Sequence, residues 1–200
     1  MTGPLPYDAE VNPVFPIRTW VARLGHLEPW RSALVEDIVA ELGDVTSDGP
    51  RITAPVLQDR DESRWTDTIE AVTTFTDALA VQLRPRWRHR QVFAWGSAAR
   101  SGAGGAGAID ALTAYGAATF TCLLWLQVPS ELTSVATLAL RDPLYHLQER
   151  YGGPGYAAVV PAELSMLVLP GFLERFGRVS DIEARWSRPA ISIQADVCYY

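Results

Sequence analysis

Residues 190–199 read AISIQADVCY. Ile191, Ile193, Ala195, Val197 and Tyr199 alternate with Ser192, Gln194, Asp196 and Cys198. A strict period of two marks a half-buried strand, because successive side chains point to opposite faces of a sheet. Strand-like segments also lie upstream. Leu167, Val168 and Leu169 form a short apolar run, and YGGPGY at 151–156 reads as a turn between two strands. The apolar run Phe120 to Leu126 and the stretch around Val92 and Ala94 read as strands too. Between them GSAARSGAGGAGA, residues 96–108, is rich in Gly and Ala and reads as a flexible loop. Its GAGGAG core lacks the strand-loop-helix context that would seat a pyrophosphate.

The N-terminal part has a different character. VNPVFPIRTWVARL, residues 11–24, predicts a short entering strand from Ile17 to Leu24. A helix is expected from Pro29 to Glu41, with Pro29 at its first turn and Gly43 as the C-terminal cap. Trp30, Leu34, Ile38 and Leu42 recur every four residues and make its apolar face. Residues 44–65 are polar and rich in turn formers, so a long loop, with room for a short strand, is expected there. A second helix is expected from Asp67 to Leu83, with Asp67 and Glu70 as a capping pair and Pro85 as the stop. Ile69, Val72, Phe75, Leu79 and Leu83 form its buried stripe. Helices followed by many short strands predict a mainly β (α+β) fold, a jelly roll or β-sandwich with a helical flank.

Composition limits the function. The chain has 200 residues, 48% hydrophobic and 20% charged, which suits a single domain and is too apolar for a disordered chain. No apolar run approaches the ~18 residues of a membrane helix, and no signal peptide is evident, so a cytoplasmic protein is expected. The net charge of −6 argues against nucleic acid or an anionic membrane as partner. All 17 basic residues are Arg, which removes every chemistry that needs Lys. Two cysteines, Cys122 and Cys198, cannot build a Cys-rich zinc site and read as packing residues. The three histidines, His26, His89 and His146, are far apart, with no metal-ligand spacing among them. His26 reads as part of a strand-to-helix turn. RPRWRHR at 84–90 is either an anion-binding patch or a solvated face after a helix. Of the seven Trp residues, Trp95 and Trp125 fall on strands expected to line the interior, where one can face a hydrophobic ligand.

The order of these segments resembles the Fe(II)/2-oxoglutarate-dependent oxygenases of the double-stranded β-helix, or cupin-like jelly-roll, fold. More narrowly it resembles a short bacterial group of about 200 residues. The matching stretches are NPVFPIRTWVARL, VFAWGSA, FTCLLWLQVP, LRDP at 140–143, PAELSMLVLPGFLERFGRV and RPAISIQADV. They cover nearly the whole chain and imply one domain over 1–200, with a helical flank and entering strands in 1–90 and the β-helix core in 91–200. Such enzymes hold iron with two histidines and one carboxylate. The resemblance puts those ligand positions at Thr113, Tyr115 and Arg175, so the triad is lost. It puts the Arg that pairs with the 2-oxoglutarate carboxylate at Arg188. Two readings stand for Arg188: a retained carboxylate site, or a surface ion pair at the start of the last strand.

A fixed cation at Arg175 opposes metal binding and can stabilise developing negative charge. Tyr115 can donate a proton or a hydrogen bond. His146, after Asp142 and Pro143, is the remaining acid/base candidate. Thr113, Asp110, Trp95, Trp125 and Arg188 complete the candidate binding set. The resulting expectation is an enzyme without cofactor or metal that performs a cyclisation, isomerisation or dehydration on a small, sometimes acidic, molecule in bacterial natural-product biosynthesis. Two alternatives stand beside it. One is an active hydroxylase using Fe(II) and 2-oxoglutarate, with His89, Asp110 and His146 as ligands. The other is a non-catalytic protein that binds a ligand or partner. A homodimer is compatible with the fold.

Overall fold

The computed structural model describes residues 7–14, 17–43, 51–83, 89–101, 118–132, 138–141, 156–173, 175–177 and 185–200. Ten strands and two α-helices follow one another along them. These are β1 (Asp8–Val14), β2 (Ile17–Arg23), α1 (Glu28–Leu42), β3 (Arg51–Ile52), α2 (Ser63–Leu83), β4 (Arg90–Ser101), β5 (Phe120–Gln127), β6 (Leu138–Arg141), β7 (Tyr156–Val159), β8 (Ser165–Pro170), β9 (Arg175–Gly177) and β10 (Arg185–Tyr199). Seven strands form one antiparallel sheet in the order β1-β2-β8-β5-β10-β4-β3, and three form a second in the order β7-β6-β9. Two antiparallel sheets with helices on the outer face make the double-stranded β-helix expected from the sequence.

The alternation in β10 sorts its residues between two interiors. Ile191, Ile193, Ala195 and Val197 pack toward the helices, in one cluster with Leu34 and Ile38 of α1 and Phe75 and Leu79 of α2. On the other face a second cluster joins Leu123 and Trp125 of β5 and Leu167 and Leu169 of β8 to Leu140 of β6 and Val159 of β7. The large sheet is therefore apolar on both sides, and its strands read as nearly continuous hydrophobic runs, FTCLLWLQ in β5 and SMLVLP in β8. The end of β10 is tied to α2, because the Tyr199 hydroxyl donates to Asp77 Oδ1 at 2.7 Å and lies 2.9 Å from the Thr76 hydroxyl. Burial pushes the Tyr199 hydroxyl above its ordinary pKa. The start of β10 is held by Glu131, whose carboxylate accepts from the Ser187 backbone N–H at 2.7 Å and is kept below the usual carboxylate range by backbone hydrogen bonds.

The helices differ from expectation at one boundary. α1 begins and ends as expected, with Gly43 past its end at φ 69°, donating to Val39 O at 3.0 Å. α2 begins at Ser63, four residues before the expected Asp67. Asp67 is not its cap, and its carboxylate instead accepts from the Trp30 indole at 2.8 Å. On its stripe Val72, Phe75 and Leu79 are buried, whereas Leu83 is 48% exposed. The expected loop at 96–108 also needs correction. Residues 96–101 continue β4, while 102–108 lie outside the described residues. Small residues there serve close packing: a Cβ on Gly96 would sit 2.7 Å from Ile38 Cγ1. β1 lies upstream of the expected entering strand and includes Pro13; at the sheet's edge a missing N–H is tolerated.

The two helices are joined by a buried indole. Trp65 is fully buried, and its Nε1 donates to Asp37 Oδ2 at 2.8 Å. Arg64 Nε reaches the same oxygen at 2.6 Å, and the Arg60 guanidinium lies 5.0 Å from the Trp65 ring centroid. Burial pushes the Asp37 carboxyl up, but the hydrogen bonds from Arg64 and Trp65 and the nearby Arg charges outweigh it, so its pKa is lowered overall.

Two outcomes test this packing. Gly96→Ala is expected to cost about 1–3 kcal/mol by overpacking. That cost should shrink in an Ile38→Ala background when both are measured by urea denaturation; an unchanged cost would mean that the Gly96 contact with Ile38 is not the cause. Asp37→Ala is expected to cost about 1–3 kcal/mol at pH 7, since it leaves the buried Trp65 N–H unpaired and removes a charged acceptor. The charged part of that cost is present above about pH 4, the ordinary carboxylate range, and is lost as pH falls through the lowered native value. Wild type and variant should therefore converge in stability on acidification.

Candidate functional site between the two sheets

Directly opposed residues of an antiparallel pair share a face. The registers of β4, β10, β5 and β8 therefore lay out the inner face of the large sheet in rows. Ser97, Ser192 and Trp125 form one row. Trp95, Gln194, Leu123 and Leu167 form the next. Phe93, Asp196, Thr121 and Leu169 form the third. A polar stripe, Ser192, Gln194 and Asp196, thus runs along β10 between aromatic and aliphatic neighbours.

Most of this stripe is satisfied internally. Ser97 and Ser192 hydroxyls lie 2.8 Å apart, and Thr121 Oγ1 donates to Asp196 Oδ1 at 2.7 Å. Asp196 is 2% exposed, so a carboxyl group is held inside the protein beside a hydroxyl. Gln194 differs. It is 1% exposed, and neither its Oε1 nor its Nε2 has a hydrogen-bond partner among the described residues. Burying an amide in this way costs free energy, and groups retained at such a cost are often functional.

Of the candidates read from the sequence, Trp95 and Trp125 stand on this inner face, 3% and 9% exposed. Arg175 lies in β9, in register with Leu140 of β6. Arg188 forms the ion pair: its guanidinium donates to Glu163 Oε1 and to the Val128 carbonyl, both at 2.7 Å. Glu163 also accepts from the Val128 N–H at 3.0 Å and from Arg31 at 2.9 Å, so Arg188 closes a clasp between α1, the end of β5 and the start of β10. Asp110, Thr113, Tyr115 and His146 lie outside the described residues. The sequence reading missed Gln194, Asp196 and Thr121. For Gln194 and Asp196 the signal is the polar half of the alternation in β10; for Thr121 it is a hydroxyl inside the otherwise apolar run of β5. Cys122 and Cys198 are both buried, in keeping with a packing role, and burial raises the Cys198 thiol pKa.

No family model and no curated protein matches this sequence. Solved structures do match in fold. A Pseudomonas putida prolyl-4-hydroxylase superposes with a TM-score of 0.55 at 11% identity, covering 90% of this chain and 92% of that one. HygX from Streptomyces hygroscopicus, with nickel and 2-oxoglutarate bound, gives 0.53 at 12% identity, covering 89% and 82%. SnoN, a non-heme α-ketoglutarate-dependent epimerase from nogalamycin biosynthesis, gives 0.54 at 12% identity, covering 88% and 76%. At these identities the likeness shows the fold, that of the 2-oxoglutarate oxygenases, and the site must be argued from its own residues.

Among the described residues no three His, Cys, Asp or Glu side chains come together as a metal-ligand group. His26 sits in the 3-10 turn before α1, stacked on Tyr7 at 5.1 Å, and Tyr7 packs against the cluster on the helical side. The chain has three histidines in all, so a two-histidine site between the sheets would need both His89 and His146. His89 is exposed just before β4, where its backbone pairs with Tyr200.

Gln194→Leu tests the buried amide. Replacing an unpaired amide with an apolar group of similar size is expected to raise the unfolding free energy by about 1 kcal/mol, whereas a lost hydrogen bond would lower it. A fall in the urea midpoint would show that Gln194 is internally satisfied.

Proposed function

We propose that the chain is an enzyme that binds a small organic molecule between its two sheets and carries out a metal-independent, non-redox step on it. Cyclisation, isomerisation or dehydration of a bacterial natural-product intermediate would suit. One observation carries this reading: a polar stripe with a buried carboxylate and a buried amide lies in an otherwise apolar layer, bracketed by Trp95 and Trp125. Apolar walls with a few placed polar groups are the usual make-up of a ligand site. Such a site orients a substrate and stabilises its developing charge without a cofactor.

In this proposal Tyr115 and His146 transfer protons, and Arg175 stabilises negative charge. Thr113, Asp110, Trp95 and Trp125 shape the pocket. Asp196 and Gln194 join them as a fixed acceptor and an orienting amide. Arg188 holds the clasp with Glu163, and its contribution to binding is indirect. The make-up of the donor set supports metal independence: Thr, Tyr and Arg stand at the ligand positions implied by resemblance, and His26 is on the helical side.

The test is metal binding by protein purified without a metal-affinity tag. Anaerobic titration with Mn(II), followed by electron paramagnetic resonance, is expected to show no saturable site with or without 2-oxoglutarate. Stoichiometric binding that 2-oxoglutarate tightens and His146→Ala abolishes would overturn the proposal in favour of an Fe(II)/2-oxoglutarate oxygenase.

A further inference from the structure

Gln194 carries an inference about what the interior recognises. Its carboxamide is 1% exposed, and both its donor and its acceptor lack hydrogen-bond partners among the described residues. Strand register aims it into the layer between the sheets, with Trp95 opposite on one side and Leu123 on the other. From this geometry we infer that the ligand is a neutral molecule with a cis-amide edge, a lactam, cyclic imide or primary carboxamide, held by paired hydrogen bonds to Gln194. The inference rests on the proposal that the ligand site lies between the sheets.

The chemistry of the edge selects this class. A cis-amide presents an N–H and a C=O side by side, which match the Gln194 Oε1 acceptor and Nε2 donor in a closed two-bond ring. A ketone satisfies only the Nε2 donor and leaves Oε1 unpaired. A carboxylate offers two acceptors, and one of them opposes the Gln194 carbonyl oxygen. A neutral carboxylic acid would match, but it is ionised near neutral pH. In an apolar layer an unpaired polar group on either partner is costly, so matched and mismatched ligands are separated sharply.

The experiment uses the full chain, labelled with ¹⁵N, and three probes of similar size: 2-pyrrolidinone, cyclopentanone and succinate. Signals from the Gln194 side-chain amide and the Trp95 and Trp125 indoles report binding. 2-Pyrrolidinone is expected to shift the Gln194 amide pair and to bind at least about tenfold more tightly than either control, because each control leaves or opposes the buried Oε1 acceptor that the lactam N–H satisfies. Gln194→Leu should remove that preference, bringing the affinities for 2-pyrrolidinone and cyclopentanone within about twofold of each other. Shifts at Trp95 and Trp125 without lactam preference, or a preference that survives Gln194→Leu, would overturn the inference and leave the ligand layer standing. No shift at any of the three residues with any probe would overturn both.

Discussion

β10 must satisfy two interiors at once. Its odd-numbered residues from 191 to 197 close the layer under the helices, and its even-numbered residues form the polar stripe facing the smaller sheet. A slip of one residue would exchange the two sets and bury the polar stripe against Leu34 and Phe75. The strand is therefore pinned at both ends. Ser187 and Arg188 are bound to Glu131 and Glu163 at its start, and Tyr199 is bound to Asp77 and Thr76 at its end. These contacts are modest individually. Together they set the register on which both cores depend.

The same strand explains how a site can exist in so apolar a fold. Hydrophobic layers above and below the large sheet provide the driving force, and a few polar positions on one face can then be held in costly surroundings. Thr121 offsets part of that cost for Asp196, and Ser97 does so for Ser192. Gln194 has no such neighbour among the described residues, which sets it apart from every other group on the stripe. The fold is shared with the Pseudomonas putida prolyl-4-hydroxylase and with HygX.

Much of this was legible from residue pattern. The period of two located β10, the apolar runs located β5 and β8, and four-residue spacing with Gly43 located α1. The failures have physical causes. Asp67 looked like a cap because its carboxylate sits three residues before Glu70, yet it takes the Trp30 N–H across the helix pair. Gly96 and its small neighbours looked like a loop because local propensity carries no information about Ile38, which packs there from α1. Alternation showed that Gln194 faced away from Ile193, but whether its amide met a partner depends on strands far away in sequence. The roles of Thr113 and Tyr115 came from resemblance alone, since no pattern in GAIDALTAYG assigns them.

The sheet order also governs how the protein is made. β10 lies between β4 and β5, so among the described strands it alone joins the block β1-β2-β8-β5 to the pair β4-β3. All six of those strands precede it in the chain. On the ribosome both blocks emerge with an open edge facing a gap, and neither edge is covered until residues 185–199 leave the exit tunnel. Long-range pairing of this kind is slow, and uncovered strand edges invite association with other chains. Synthesis rate and chaperone holding over that interval thus bear on the yield of folded protein as directly as native-state stability does.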